Sequence, residues 1–334
     1  MLPPPLLAIV VPCFREEAVL EETNRRLCAL VDHLVAEGAV GPRSFILYVN
    51  DGSDDRTWPL ICQFHRASRR VNGLNLAANA GHQAALLAGL ASACPRADAL
   101  VSIDADLQDD INAIAEMVTA YRDGADVVYG VRRSRRTDSV FKRTTALAFY
   151  RLMEALGTNT VYNHADFRLM SQRAVRQLCR YRERNLFLRG IVPLIGYTTA
   201  RVYYDRGERL AGESKYPFRR MVNFAIDGVT SFSVRPVRFV FVLGCIFVLI
   251  ALVALGFVIY SWWHGTLVEG WASLFLSVWF VGGCVLLSLG VIGEYIAKIY
   301  IEVKDRPRYN VEQQLFHDDT PTKRQNSATF AKHS

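Results

Sequence analysis

The chain has 334 residues, 51% of them hydrophobic, and a formal net charge of +7. That length holds one full-sized globular domain and something smaller, and the basic balance points to an anionic partner: nucleic acid, an anionic membrane or a phosphorylated small molecule. The seven cysteines form no CxxC pair and show no zinc spacing with histidine, so they read as scattered buried thiols in a reducing compartment.

The opening "MLPPPLLAIVVPC" lacks a positive start and is broken by Pro3 to Pro5, so it reads as the lead into a buried strand over Leu6 to Val11 and not as a signal peptide. From there to about Gly130, β-rich runs ("LLAIVV", "SFILYV", "GLNLA", "ALVSID", "DVVYG") alternate with helical stretches over Glu16 to Ala36, Asp55 to Arg66, His82 to Ala93 and Ile111 to Tyr121. That alternation predicts an α/β fold with a doubly wound, mostly parallel sheet. Its ligand crevice should lie beyond the strand carboxyl ends. The polar clusters fall there: "PCFREE", "NDGSDD", "NAGHQ" and "DADLQDD" follow the first four strands in turn.

Beyond Val131 the chain turns basic, with Arg132, Arg133, Arg135, Arg136, Lys142 and Arg143. "HADFRLMSQRAVRQL" reads as a strand or loop entering a helix. Between Pro217 and Phe232, apolar residues at helical spacing predict an amphipathic helix lying on a membrane surface. Residues 237–263 and 271–297 are each apolar for longer than the ~20 residues a bilayer crossing needs. The short link between them carries Glu269 and no Lys or Arg, whereas Arg235, Arg238, Lys298, Lys304, Arg306 and Arg308 flank the outer ends. The positive-inside rule then puts both termini and the large N-terminal region in the cytoplasm. The polar stretch after Asn310 reads as disordered.

Asp104, Asp106, Asp109 and Asp110 crowd into "DADLQDD" directly after an apolar run. Such a cluster is tolerable if a cation neutralises it, and oxygen donors suit Mg2+ or Mn2+ shared with substrate phosphates. Asp109 and Asp110 are read instead as charges at a helix start; Asp104, ending a strand, is not. Asp51 ends the second strand in the same way, while Ser53 and Asp54 read as helix caps. His82 reads as a helix-start residue. In "VPCFREE", Pro12 fixes the backbone, Phe14 offers a ring to stack on a flat partner, and Glu16 adds a charge.

The ordered set "VPCFREE … VNDGSDD … NAGHQAALLAGL … DADLQDD … YGVRRSR … ADFRLMS … GESKY … GEYIAKIYIEVKDRPRY" resembles the GT-A family 2 polyprenyl-phosphate glycosyltransferases, from about Leu6 to Asn310. These are enzymes like dolichyl-phosphate-mannose synthase and the bactoprenol glucosyltransferases, with a C-terminal membrane hairpin. The resemblance implies a cytoplasmic GT-A catalytic domain over 1–215, an amphipathic juxtamembrane helix within 216–236, a membrane hairpin over 237–297, and a cytoplasmic tail over 298–334, partly disordered. It implies that Pro12, Phe14, Glu16 and Asp51 hold the nucleoside, that Asp104 and Ala105 line the nucleotide, and that Asp106 and Gln108 ligate the metal. Arg209 and Lys215 would contact phosphates, Arg132 and Arg143 the lipid phosphate, and Asp166 and Arg168 the sugar. Asp104, Asp106 and Asp166 are the candidate catalytic carboxylates. One departure stands out: Ala78 and Ala80 flank Asn79, where the family commonly carries an Arg and an aromatic.

The implied reaction is inverting transfer of a hexose from a nucleotide-diphosphate sugar, UDP-glucose or UDP-N-acetylglucosamine, to undecaprenyl phosphate at the inner face of the cell membrane by a homo-oligomer such as a tetramer. The alternatives are a GDP-mannose-dependent mannosyltransferase and a non-catalytic membrane scaffold keeping the nucleotide-sugar fold. A processive synthase would need a QxxRW motif, which is absent, and no nucleic-acid reader motif appears.

Overall fold

The computed structural model describes residues 3–133, 164–183, 188–205 and 270–317, with scattered positions between 240 and 264. The predicted amphipathic helix, nearly all of the first predicted span, and Arg143, Arg209 and Lys215 lie outside the described residues. The chain divides into two compact units: residues 1–144, 160–215 and 306–334 form one, and residues 145–159 and 216–305 the other.

The first unit is built on one eight-stranded sheet. Its strands are β1 (Leu7–Cys13), β2 (Phe45–Asn50), β3 (Val71–Leu76), β4 (Ala99–Ser102), β5 (Val127–Arg132), β6 (His164–Ser171), β7 (Thr199–Tyr204) and β8 (Val311–Leu315), in the order β7-β5-β6-β4-β1-β2-β3-β8. β1 is buried along its whole length, as an apolar, β-branched run is when neighbours and covering helices enclose both faces. The sheet is mixed where the sequence predicts a mostly parallel one. β1–β2, β1–β4, β2–β3 and β5–β7 pair in parallel, while β4–β6, β5–β6 and β3–β8 pair antiparallel. β6 enters between β4 and β5 from the opposite direction, a consequence of long-range pairing that local composition does not reveal.

The helices follow their predictions closely: α1 (Leu20–Ala36), α2 (Thr57–Ala67), α3 (His82–Ala93), α4 (Ala113–Arg122) and α5 (Gln172–Leu178), joined by a short α6 (Leu188–Leu194). α1 buries Leu20, Thr23, Leu27, Leu30, Val31 and Leu34, one stripe at helical spacing. α3 lies on β1 and β2. A side chain at Gly89 would sit 2.4 Å from Val10 Cγ1 and 2.6 Å from Val49 Cγ2, so glycine sets how closely α3 approaches the sheet. Ser171 caps α5, its Oγ accepting from the Ala174 amide at 3.2 Å.

The stretch after Asn310 corrects the sequence reading. Val311–Leu315 is a strand paired antiparallel with β3, and Phe316 packs edge-on against Phe45 at 6.4 Å. Its polar, largely exposed side chains carry no strand signal, since backbone pairing and a few distant contacts hold it.

In the second unit, α7 (Trp271–Val303) covers the second predicted span and continues to Val303. At 1.5 Å per residue its 33 residues reach about 50 Å, beyond the ~30 Å of a hydrocarbon core. Within it, Phe280–Val303 is the one helix among the described residues long and apolar enough to cross a membrane.

Candidate active site

The carboxyl ends of β1 to β4 share one sheet edge, and the four polar loops follow them. Loop one is sewn to loop two. Arg15, in the left-handed region at φ 56°, donates through Nε and Nη2 to the two Asp54 carboxylate oxygens at 2.7 Å each. Its amide donates to Ser53 Oγ at 3.1 Å, and the Glu16 amide donates to Thr57 Oγ1 at 3.0 Å. Asp54, read as a helix cap, is thus the partner of Arg15. Phe14 stands 42% exposed at the mouth of this loop, with the Arg15 guanidinium 5.3 Å from its ring centre. Pro12 is buried inside β1, in register with Val49.

Loop two is locked to loop three. Asp51 is buried, and its two carboxylate oxygens accept from the amides of Ala80 at 2.7 Å and Gly81 at 3.0 Å. Burial raises its pKa, while the two amide bonds pull it down. Gly52 has φ +62°, and a Cβ there would meet Ala78 C and Asn79 N at 2.5 Å, so only glycine lets the loops approach this closely. Ala78 and Ala80, where the resembled family has larger side chains, lie on the segment whose main chain clamps Asp51.

Loop four and β6 bring the carboxylates together. Asp104 Oδ1 lies 3.6 Å from His82 Nε2, and Asp166 Oδ2 lies 3.9 Å from the same nitrogen. His82 does begin α3, as read, and it also stands between two candidate catalytic carboxylates. Asp104 is pushed up to about 6, first by burial and then by repulsion from Asp166, Asp109 and Asp106, with His82 opposing. Burial would raise Asp166 too, but Arg168 and Arg189 outweigh it and hold that carboxyl far below its ordinary range. Arg168 donates to Asp166 at 2.6 Å, and Arg189 at 3.1 Å and 3.3 Å. Asp106 Oδ1 accepts from the Gln108 amide at 3.2 Å across Leu107, which takes a left-handed φ of 49°. The Ala105 methyl packs in the core and its carbonyl accepts from Thr23 Oγ1 at 2.7 Å, so any contact it makes in the crevice is through the backbone.

Three of the predicted residues have partners that the sequence does not show. Arg168 is 1% exposed and donates to Asp166, so it supports that carboxylate from within the core. Asp109 is buried, not a solvated helix-start charge: its Oδ1 accepts from Arg132 Nη2 at 3.0 Å, Arg132 Nε at 3.3 Å and Tyr204 Oη at 2.6 Å. Two nitrogens of Arg132, expected on a lipid phosphate, are therefore committed to Asp109. Asp110 does shape the start of α4, accepting from the Asn112 amide at 3.0 Å. Sequence reasoning passed over Arg189 and Tyr204, whose surroundings carry no motif. His82 had a signal in its place in the third polar loop.

Asp106 and Gln108 carry oxygen donors on one turn, near an Asp104 whose pKa is raised by burial first and by the neighbouring carboxylates after it. Such hard donors fit Mg2+ or Mn2+. Among the described residues no three His, Cys, Asp or Glu side chains form a metal cage, so these donors fit an open site that a ligand's phosphates complete.

The glycosyl transferase family 2 model matches residues 8–179. The chain is 52% identical over 330 residues to the uncharacterized glycosyltransferase YkoT of Bacillus subtilis, covering 98% of each. It is 38% identical over 317 residues to the bactoprenol glucosyl transferase of Shigella phage SfII, covering 92% of this chain and 97% of that one. Among solved structures, glucosyl-3-phosphoglycerate synthase from Mycobacterium tuberculosis aligns at a TM-score of 0.45 and 20% identity, over 68% of this chain and 79% of that one. With half the chain matched by the family model and near full-length relatives, the chain is an enzyme of glycosyl transferase family 2.

Proposed function

We propose that this enzyme transfers a hexose from a nucleotide-diphosphate sugar, UDP-glucose or UDP-N-acetylglucosamine, to a polyprenyl phosphate such as undecaprenyl phosphate at the cytoplasmic face of the cell membrane. The observation that carries the reading is the gathering of Asp104, Asp166 and His82 beside the Asp106–Gln108 turn at the carboxyl edge of the sheet. The acceptor class rests on the bactoprenol glucosyl transferase relatives, and α7 supplies a helix able to hold the enzyme at that surface.

In this reading Phe14 stacks on the base, and Glu16 and Asp51 frame the nucleoside. Asp106 and Gln108 would hold a divalent cation, which neutralises the departing diphosphate. Arg209 and Lys215 add positive charge to the same phosphates. The acceptor phosphate is already anionic near neutral pH, so it attacks the anomeric carbon without a dedicated base, and configuration inverts. Asp166, kept ionised by Arg168 and Arg189, faces the positive charge that builds on the sugar ring in the transition state. Arg143 and Arg132 draw in the lipid phosphate, Arg132 while paired with Asp109. Membrane attachment holds both partners at headgroup depth and lowers the entropic cost of their meeting.

The test is a donor screen: detergent-purified enzyme, Mn2+ or Mg2+, a short polyprenyl phosphate and radiolabelled UDP- and GDP-hexoses. Label should enter the lipid fraction with a UDP-hexose. Transfer from GDP-mannose alone would move the base and sugar assignment, and no lipid label with any donor would overturn the acceptor class.

A further inference from the structure

After α7 ends at Val303, the chain re-enters the first unit and is fastened at several points. Arg308 Nη2 donates to the Tyr181 carbonyl at 2.6 Å, and the Ala77 amide, at the start of loop three, donates to the Asn310 carbonyl at 2.9 Å. Two residues further on, Glu312 Oε2 accepts from Asn75 Nδ2 at 2.7 Å, a contact spanning 237 positions of sequence. Asn75 Oδ1 in turn accepts from Asn50 Nδ2 at 2.7 Å, and Asn50 Oδ1 accepts from the Ser53 amide at 3.4 Å. Ser53 Oγ receives the Arg15 amide of loop one. Asn50 and Asn75 are both buried.

This chain of bonds has a direction, and Glu312 sets it. An ionised carboxylate only accepts, so Asn75 must turn its NH2 toward Glu312 and its oxygen toward Asn50. Asn50 must then present its NH2 to Asn75, which leaves its oxygen for the Ser53 amide. Without the carboxylate, either amide can flip, and a flipped Asn50 would set an NH2 group against the Ser53 N–H. Resting on the nucleotide-binding reading above, we propose that Glu312 is a positioning residue for the nucleoside pocket: from the strand that follows α7, it fixes the orientation of loop two, and through Ser53 that of loop one. The residue touches no substrate and acts only through Asn75 and Asn50.

Glu312 lies on an exposed edge strand, so its substitution leaves the core intact. The experiment compares full-length wild type, Glu312→Ala and Glu312→Gln in detergent, by calorimetric titration with UDP and with GDP in the presence of Mn2+, by donor KM and kcat, and by melting temperature. Losing one relay bond at a buried amide pair should weaken nucleotide binding about fivefold to tenfold, with donor KM rising alike. kcat, acceptor KM and the melting temperature should hold, and Glu312→Gln, which keeps an acceptor oxygen, should restore binding. Wild-type affinity in Glu312→Ala, an unrescued Glu312→Gln, or affinity lost only in step with melting temperature would each overturn the proposal. If the wild type binds neither nucleotide, the nucleotide reading itself falls and this inference with it.

Discussion

Replacing Arg132 by Met separates a structural role from a lipid-binding one. Asp109 is 3% exposed and takes three donors on Oδ1, two of them from Arg132. Met fills a similar volume but leaves the carboxylate with the neutral Tyr204 hydroxyl as its one remaining donor among these three. Breaking a buried pair from one side costs about 3 kcal/mol, because a charge stays buried without its counter-ion. For a unit of this size that is a fall of about 6–12 °C in melting temperature. Arg132→Met combined with Asp109→Asn removes the stranded charge and should recover more than half of the loss. The assay is thermal unfolding of the full-length protein in detergent without polyprenyl phosphate, followed by tryptophan fluorescence. A wild-type melting temperature in Arg132→Met, or a double variant no more stable than the single one, would refute the buried-pair account and return Arg132 wholly to the acceptor site.

Gly52→Ala should cost about 1–2 kcal/mol from the left-handed backbone alone, with more from the displaced loop three, and should abolish nucleotide binding by releasing Asp51; unchanged affinity by calorimetry would dissociate that clamp from the pocket. Asp126 accepts from Arg173 and Ser171, and the Arg173 bond chiefly holds its pKa below the ordinary 3.8. Its stabilisation is present above that ordinary value and is lost as pH falls through the lowered one. Asp126→Asn should therefore cost about 1 kcal/mol in urea unfolding at pH 7, with the gap from wild type closing below about pH 4; a gap constant with pH would reject the ion-pair cause. Truncation after Tyr309 removes β8 and bares the edge of β3, so the shortened protein should melt lower and associate on concentration, as light scattering would report.

The central strands and the polar edge were legible because both signals are local. β1 and β2 are apolar on both faces, and each polar loop directly follows its strand. What stayed hidden depends on distant partners. β8 reads as polar tail until Asn75 and Phe45 are seen beneath it. Asp109 and Asp110 look alike in sequence, yet one is buried against Arg132 while the other turns a helix start. Asp166 and Arg168 lie two apart on β6 and so share one face, but the cover of α6, whose Leu188 carbonyl accepts from Arg168 at 3.4 Å, buries the arginine more deeply than the carboxylate.

The most direct test of the central claim is hexose transfer to polyprenyl phosphate by wild type and Asp106→Ala, with Mn2+ and then with excess EDTA. Asp106 is half-buried and accepts from the Gln108 amide, so the melting temperature of Asp106→Ala is measured alongside to separate lost activity from lost folding. The account predicts metal-dependent appearance of lipid-linked hexose in the wild type, abolished by EDTA, and a loss of at least about a hundredfold in Asp106→Ala. Transfer that survives both EDTA and Asp106→Ala would contradict it.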